Sequence, residues 1–240
     1  MKTFALIATS IVYFPLGLAT LGCQKQTVGG SIENMVPVDN SPKRYLALGD
    51  SYTIGQSVQA TERFPAQVTA QLRNSGIAMS DPEYIATTGW TTLDLQAGIN
   101  ARNPQGPYDA VSLLIGVNDQ YQTHDTTNYR HHFTQLLNMA IALTGYRKEK
   151  VFVLSIPDYS ATPFVSISVK AVVSMEVNWF NDINKKVTLS YGIGYVDIVP
   201  SSREAATNPS LISGDGLHPS GLEYRKWADL LFPLMKEMLK

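Results

Sequence analysis

The chain has 240 residues, 19 Lys and Arg against 20 Asp and Glu, and one cysteine, which describes one ordinary globular domain with extra segments. A net charge of -1 provides no general attraction to phosphate backbones and argues against nucleic acid as a partner. One cysteine rules out an intramolecular disulfide and a cysteine-based zinc site, and 44% apolar residues are ample for a core without such staples.

From Phe4 to Gly22 the sequence carries no charge and is mostly apolar. Met1-Lys2 supplies a short positive start, and Cys23 follows Leu21-Gly22. This pattern reads as a signal peptide over residues 1–22. The run is interrupted by Pro15, and its length leaves an uncleaved anchor of about 19 residues as the alternative. Leu-Gly-Cys resembles the lipobox of bacterial lipoproteins, with Thr20 where Leu is usual. That resemblance implies acylation of Cys23 and export to the cell envelope, with the membrane contacted through the lipid. Residues 23–43 contain Gly29-Gly30, Pro37 and Pro42 without helical or strand period, and read as a flexible tether spanning on the order of 25 Å. Residues 44–240 form the domain.

Five strand-sized apolar or β-branched runs follow, at 44–48, 83–87, 110–115, 151–155 and 194–198. Between them lie patterns of period 3.6. Phe64, Val68 and Leu72 end at Gly76; Tyr129, Phe133, Leu136, Leu137, Ala140 and Ile141 end at Gly145. Val177, Phe180, Ile183, Val187 and Tyr191 precede the fifth strand. Leu222, Trp227, Leu230, Leu231, Leu234 and Met238 close the chain, with Ser220 and Glu223 at capping-box spacing and Pro233 predicting a kink or an early end. Such alternation implies an α/β domain with a parallel sheet covered on both faces, whose ligands bind beyond the carboxyl ends of the strands.

Beyond those ends stand Gly49-Asp50-Ser51-Tyr52-Thr53, then Thr88-Gly89-Trp90, then Gly116-Val117-Asn118-Asp119; Asp215-Gly216-Leu217-His218-Pro219 comes late in the chain. A serine hydroxyl needs a base to become a nucleophile, and an imidazole suits that task at neutral pH. Ser51 and His218 are those two groups. Asp215, three residues before His218, can accept the other ring N–H and fix the tautomer. No G-x-S-x-G elbow surrounds the serine, so an α/β-hydrolase is a poor match.

Each block alone is a common turn composition. Together and in this order they resemble the four signature blocks of the SGNH hydrolases, the GDSL lipase/esterase family, over residues 45–239. The resemblance implies a three-layer α/β/α flavodoxin-like fold with five parallel strands in the order 2-1-3-4-5. It implies a catalytic Ser51, Asp215 and His218, and an oxyanion hole made by the backbone N–H groups of Ser51 and Gly89 and the side-chain amide of Asn118. A glycine suits the second position because no side chain blocks the substrate's approach. Asp50 and Asp119 are assigned to loop hydrogen bonding.

The chemistry so implied is hydrolysis of carboxylic esters (lipid, lysophospholipid or small acyl) through an acyl-enzyme. The alternatives are an O-acetylesterase acting on carbohydrate with the same site, and a non-catalytic surface binding module. No cofactor is expected, since no phosphate-cradling glycine loop ends in Lys-Ser/Thr. His131-His132 and His124 are not expected to bind metal, because adjacent helical side chains point about 100° apart. Tyr52, Trp90 and Tyr121 flank the site, and residues 156–164 offer a substrate wall. No protein partner is implied.

Overall fold

A computed structural model describes residues 41–240. The expected signal segment, Cys23 and nearly all of the tether lie outside the described residues. Near the start of the described residues, the Lys43 N–H donates to the Ala78 carbonyl and the Lys43 carbonyl accepts from the Ser80 N–H.

In chain order the elements are β1 (Tyr45–Gly49), α1 (Ser51–Ile54), α2 (Phe64–Asn74), β2 (Glu83–Ala86), α3 (Thr92–Arg102), β3 (Ala110–Leu114) and α4 (Val117–Thr123). There follow α5 (Thr126–Leu143), β4 (Val151–Leu154), α6 (Lys170–Ser190), β5 (Gly194–Val196), α7 (Val199–Arg203) and α8 (Gly221–Leu239). The five strands are all parallel and run in the order β2-β1-β3-β4-β5, as the family resemblance implies. Every residue of β1, β3 and β4 is buried, whereas the edge strands β2 and β5 expose Glu83 and Gly194. Central strands covered on both faces must be apolar throughout, which is how they read.

The strand order dictates the layers. From β1 the chain steps one way to β2 and then turns back toward β3, β4 and β5. Right-handed crossovers therefore put α2 on one face and α3, α5 and α6 on the other. Accordingly α2 packs against α8, while α5 lies between α3 and α6. The reversal opens a crevice at the carboxyl ends of β1 and β3.

Beyond the short helices α1, α4 and α7, which the sequence pattern leaves unassigned, three longer helices differ from expectation. The sequence pattern leaves α3 unassigned, although Thr91 and Asp94 form a capping box at its start and Thr92, Leu95 and Ile99 are buried along it. Gly98 weakens its helical signal, yet a Cβ there would collide with the Trp90 ring. Helix α6 starts at Lys170, seven residues before the first residue of its buried pattern, because its first two turns show apolar side chains to solvent. Helix α8 runs through Pro233 to Leu239 rather than ending early. Pro233 lies on the exposed side, so the carbonyl deprived of its helical partner can be hydrated, and buried Leu231 and Met235 hold the turns on either side.

Candidate active site

Ser51 opens α1 directly after β1. The Asp50 carboxylate caps this short helix by accepting the Tyr52 N–H at 3.0 Å. Gly49 makes the close turn between them: a Cβ there would collide with both the Thr53 side chain and the Leu114 carbonyl. Ser51 is buried but for 4% of its surface, and Asp50 is fully enclosed.

The loop bearing His218 is a stapled hairpin. Ser213 donates its N–H to the His218 carbonyl, Ser220 donates to Leu211, and Gly216 turns the chain at a φ of +74°, a conformation that suits glycine. The imidazole lies 5.1 Å from the Tyr52 ring, centroid to centroid. Its Nε2 is 3.0 Å from Ser51 Oγ and its Nδ1 is 2.7 Å from Asp215 Oδ2. The structure thus brings together, across 167 residues of sequence, a hydroxyl, an imidazole and a carboxylate in one hydrogen-bonded chain.

Asp215 is held from both sides. Its Oδ1 accepts from the Ser213 hydroxyl and from the backbone N–H groups of Leu217 and His218, each at 2.9 Å. Its Oδ2 accepts from the Ser57 hydroxyl at 2.7 Å as well as from the imidazole. Burial acts to raise its pKa, but these donors outweigh burial, led by Ser57, and hold the carboxyl well below the usual range. Ser57 is absent from the sequence motifs. It adopts a left-handed φ of +66°, and no sequence signal ties it to a residue 158 positions away.

Asp50 shows the opposite behaviour. Burial, reinforced by the neighbouring Asp119 carboxylate, pushes its pKa up to about 8, against the pull of the Tyr52 N–H. Asp119 accepts from both the backbone and the hydroxyl of Thr92, tying α4 to the start of α3. Both residues therefore organise loops through hydrogen bonds, as expected.

A cavity of about 230 Å³ lies over Ser51, and Gly89, Asn118 and His218 also line it. Gly89 has a φ of +83°, and nothing stands within 4 Å of where its Cβ would be. Its carbonyl accepts a 3.0 Å hydrogen bond from Gln122 Nε2. The Asn118 amide donates to the Trp90 carbonyl at 3.1 Å and, more loosely, to Asp50 Oδ2 at 3.3 Å. The remaining walls are mostly apolar or aromatic, with Tyr52, Val117, Tyr121, Tyr159, Phe164 and Leu217 prominent.

Of the three flanking aromatics expected from sequence, Tyr52 and Tyr121 line the cavity. Trp90 is not among its lining residues: its ring packs on α3 at Gly98 and its carbonyl serves Asn118. From residues 156–164 only Tyr159 and Phe164 reach the wall; Asp158 instead pairs with Arg203 at 2.8 Å. His124 pairs with Glu176. Among the described residues no group of three or more His, Cys, Asp and Glu side chains is arranged to hold a metal ion.

An alcohol beside a base that a carboxylate orients, facing a cavity with amide donors, can perform acyl transfer. Comparison with known proteins agrees. No curated protein sequence matches the chain, but solved structures share its fold. A lipase/acylhydrolase from Enterococcus faecalis superposes with a TM-score of 0.64 at 18% identity, over 82% of this chain and 97% of that one. The psychrotrophic esterase EstA from Pseudoalteromonas sp. gives 0.62 at 14% identity, over 81% and 97%. Axe2, an acetylxylan esterase from Geobacillus stearothermophilus, gives 0.61 at 19% identity, over 81% and 94%. Residues 47–226 match the model of the GDSL-like lipase/acylhydrolase family, and the chain belongs to that family of carboxylic ester hydrolases.

Proposed function

We propose that the protein is a serine esterase acting on lipid, lysophospholipid or small acyl esters through an acyl-enzyme. The observation that carries this reading is the chain Ser51–His218–Asp215, with contacts of 3.0 and 2.7 Å, at the floor of an apolar-walled cavity.

Ser51 Oγ bonds to the ester carbonyl carbon as its proton passes to His218 Nε2. Asp215 accepts the Nδ1–H, fixes the tautomer and stabilises the imidazolium. The carbonyl oxygen, now an oxyanion, lies against the N–H groups of Ser51 and Gly89 and the Asn118 amide, which exchanges its looser contact with Asp50 for the developing charge. When the tetrahedral species collapses, the C–O bond to the alcohol breaks and Nε2 returns the proton to the leaving oxygen. Water then attacks the acyl carbon and gives a proton to Nε2; as the second tetrahedral species collapses, the bond to Ser51 Oγ breaks, Nε2 returns the proton to Oγ, and the acid departs. The open space beside Gly89 suits close approach of the ester.

Reaction with a fluorophosphonate tests the nucleophile: the intact protein should be labelled at Ser51 and Ser51→Ala should not. A folded, unreactive protein would favour a binding module. Hydrolysis of p-nitrophenyl esters from acetate to long chains, beside acetylated xylan, tests the substrate. Preference for the glycan would replace the lipid reading with an O-acetylesterase.

For residues 1–43, the reading of signal peptide, acylated Cys23 and tether rests on the lipobox-like Leu-Gly-Cys. Mass spectrometry of the mature amino terminus should find acylated Cys23; an intact Met1 would overturn it.

A further inference from the structure

The aromatic wall of the cavity does not stop at its rim. Tyr121, more than half exposed, stands 6.4 Å from both Tyr159 and Phe164, centroid to centroid. Phe164 in turn begins a tract in which Ile167 is 88% exposed and Val172, Met175 and Trp179 are each about half exposed. The tract is tied to the catalytic loop: the Phe164 N–H donates to the Gly216 carbonyl, two residues before His218.

Across residues 163–179 only Lys170 and Glu176 are ionisable, and each is partly buried and hydrogen-bonded. Lys170 Nζ donates to the Thr162 carbonyl at 2.9 Å, while Glu176 accepts from Gln120 and pairs with His124. Even the exposed Ser166 and Ser168 hydroxyls bond to one another. On α6, Val172, Met175 and Trp179 follow the spacing i, i+3, i+7 and share one outward face. One turn further the exposed side chains become Asp182, Lys185 and Lys186. The outer face of the helix thus changes from apolar to charged along its length, with the apolar half nearest the cavity.

The geometry points to a docking surface for a phospholipid bilayer, formed by this tract together with Tyr121. A surface this poor in charges and hydroxyls offers few hydrogen-bonding partners to a sugar polymer and loses little when pressed into acyl chains, with the partly buried Lys170 ammonium able to reach the headgroups along its own stem. Its continuity with the cavity means that whatever covers it also presents its ester to Ser51. The sharp change to Asp182, Lys185 and Lys186 marks where the helix leaves the hydrocarbon for the polar headgroups. This inference rests on the esterase reading for its purpose, although contact with lipid can be measured without catalysis.

The test uses the full chain carrying Ser51→Ala, with phosphatidylcholine vesicles whose acyl chains are brominated. Subtracting the emission of the Ser51→Ala/Trp179→Phe protein isolates Trp179. That emission should move to shorter wavelength on unbrominated vesicles and be quenched on brominated ones. Adding Ile167→Asp and Val172→Asp should weaken partitioning by about tenfold or more, since binding scales with buried apolar area. With Ser51 restored, the same pair should leave hydrolysis of soluble p-nitrophenyl acetate unchanged while slowing hydrolysis of a vesicle-embedded long-chain ester. Circular dichroism and fluorophosphonate labelling establish that this variant is folded.

Trp179 emission that ignores vesicles would overturn the inference, as would partitioning that the two aspartates leave intact, which would assign it to another part of the chain. A shift that needs no lipid but follows protein concentration, with a doubled mass in light scattering, would assign the face to a second copy. Failure of Ser51 to react with fluorophosphonate would instead sink the esterase reading and leave the vesicle result standing.

Discussion

Replacing Asp215 and Ser57 separately distinguishes a carboxylate that orients the imidazole from one that merely braces a loop. Asp215→Ala removes the sole acceptor of the His218 Nδ1–H and leaves the imidazolium of the transition state without its counter-charge. Loss of that function costs on the order of 10⁴-fold in kcat where a serine triad operates. Ser57→Ala is milder. It removes one of five donors to the carboxylate, and the other four, from Ser213, Leu217 and twice from His218, still hold its orientation. A hydrogen bond to a charged acceptor contributes about 1.5–3 kcal/mol when dry. Because Ser57 is exposed and the Asp215 side chain is 28% exposed, water replaces the lost hydroxyl, and about 1 kcal/mol or less remains, roughly a fivefold effect. The assay is kcat/KM for p-nitrophenyl acetate from pH 4 to 9, with Ser51→Ala as background. Since Asp215 stays ionised to well below the usual carboxylate range, the acid limb of the profile should come from the imidazole, whose protonated form cannot take the Ser51 proton. An Asp215→Ala protein within tenfold of the parent, or a rate flat from pH 8 to pH 4, would refute the reasoning.

Asn118→Ala removes one of the three proposed oxyanion donors, and should lower kcat by about 10²–10³-fold while fluorophosphonate labelling of Ser51 persists; an unchanged kcat would remove Asn118 from the hole. Buried Asp50 should make stability fall as pH rises. Its folded pKa near 8 exceeds the unfolded value, so the folded state holds the extra proton, and the contribution present below about pH 4 is lost toward pH 8 at no more than about 1.4 kcal/mol per pH unit. Urea midpoints across that window should show the decline in the parent and a flatter course in Asp50→Asn; parallel curves would count against it. Gly89→Ala meets no protein atom but must adopt a φ of +83°, at a cost of about 1–2 kcal/mol. Thermal melting should register that modest loss, and the added methyl should slow hydrolysis further by entering space the ester uses.

Much of the fold was legible because its determinants are local. Strands β1, β3 and β4 read as strands since full burial demands uninterrupted apolar runs, and α2, α5 and α8 read as helices since each buries one face. Helix α3 escaped because Gly98 breaks its pattern, and that glycine answers to Trp90, a contact between separate elements. The start of α6 escaped for another reason: its first turns bury little, so no 3.6-residue signal arises.

The site divides in the same way. Ser51, Gly89, Asn118, Asp215 and His218 stood out because each lies in a short block, in a loop or at the start of a short helix, whose composition repeats a family pattern. Asp215 and His218 are three residues apart, and their partnership is a property of one turn. Ser57 reaches the same carboxylate from 158 residues away, and the apolar ground running from Tyr121 to Trp179 assembles from two helices and a loop. Sequence by itself determined which groups could supply a nucleophile, a base and its orienting acid, because side-chain chemistry and nearest-neighbour turns are encoded locally. Only the tertiary structure decided that Ser51 Oγ sits 3.0 Å from His218 Nε2, that Asp50 is buried beside a second carboxylate, and which apolar residues remain on the surface. Distances and burial across the chain depend on how strands and helices pack, and no short stretch of sequence contains that information.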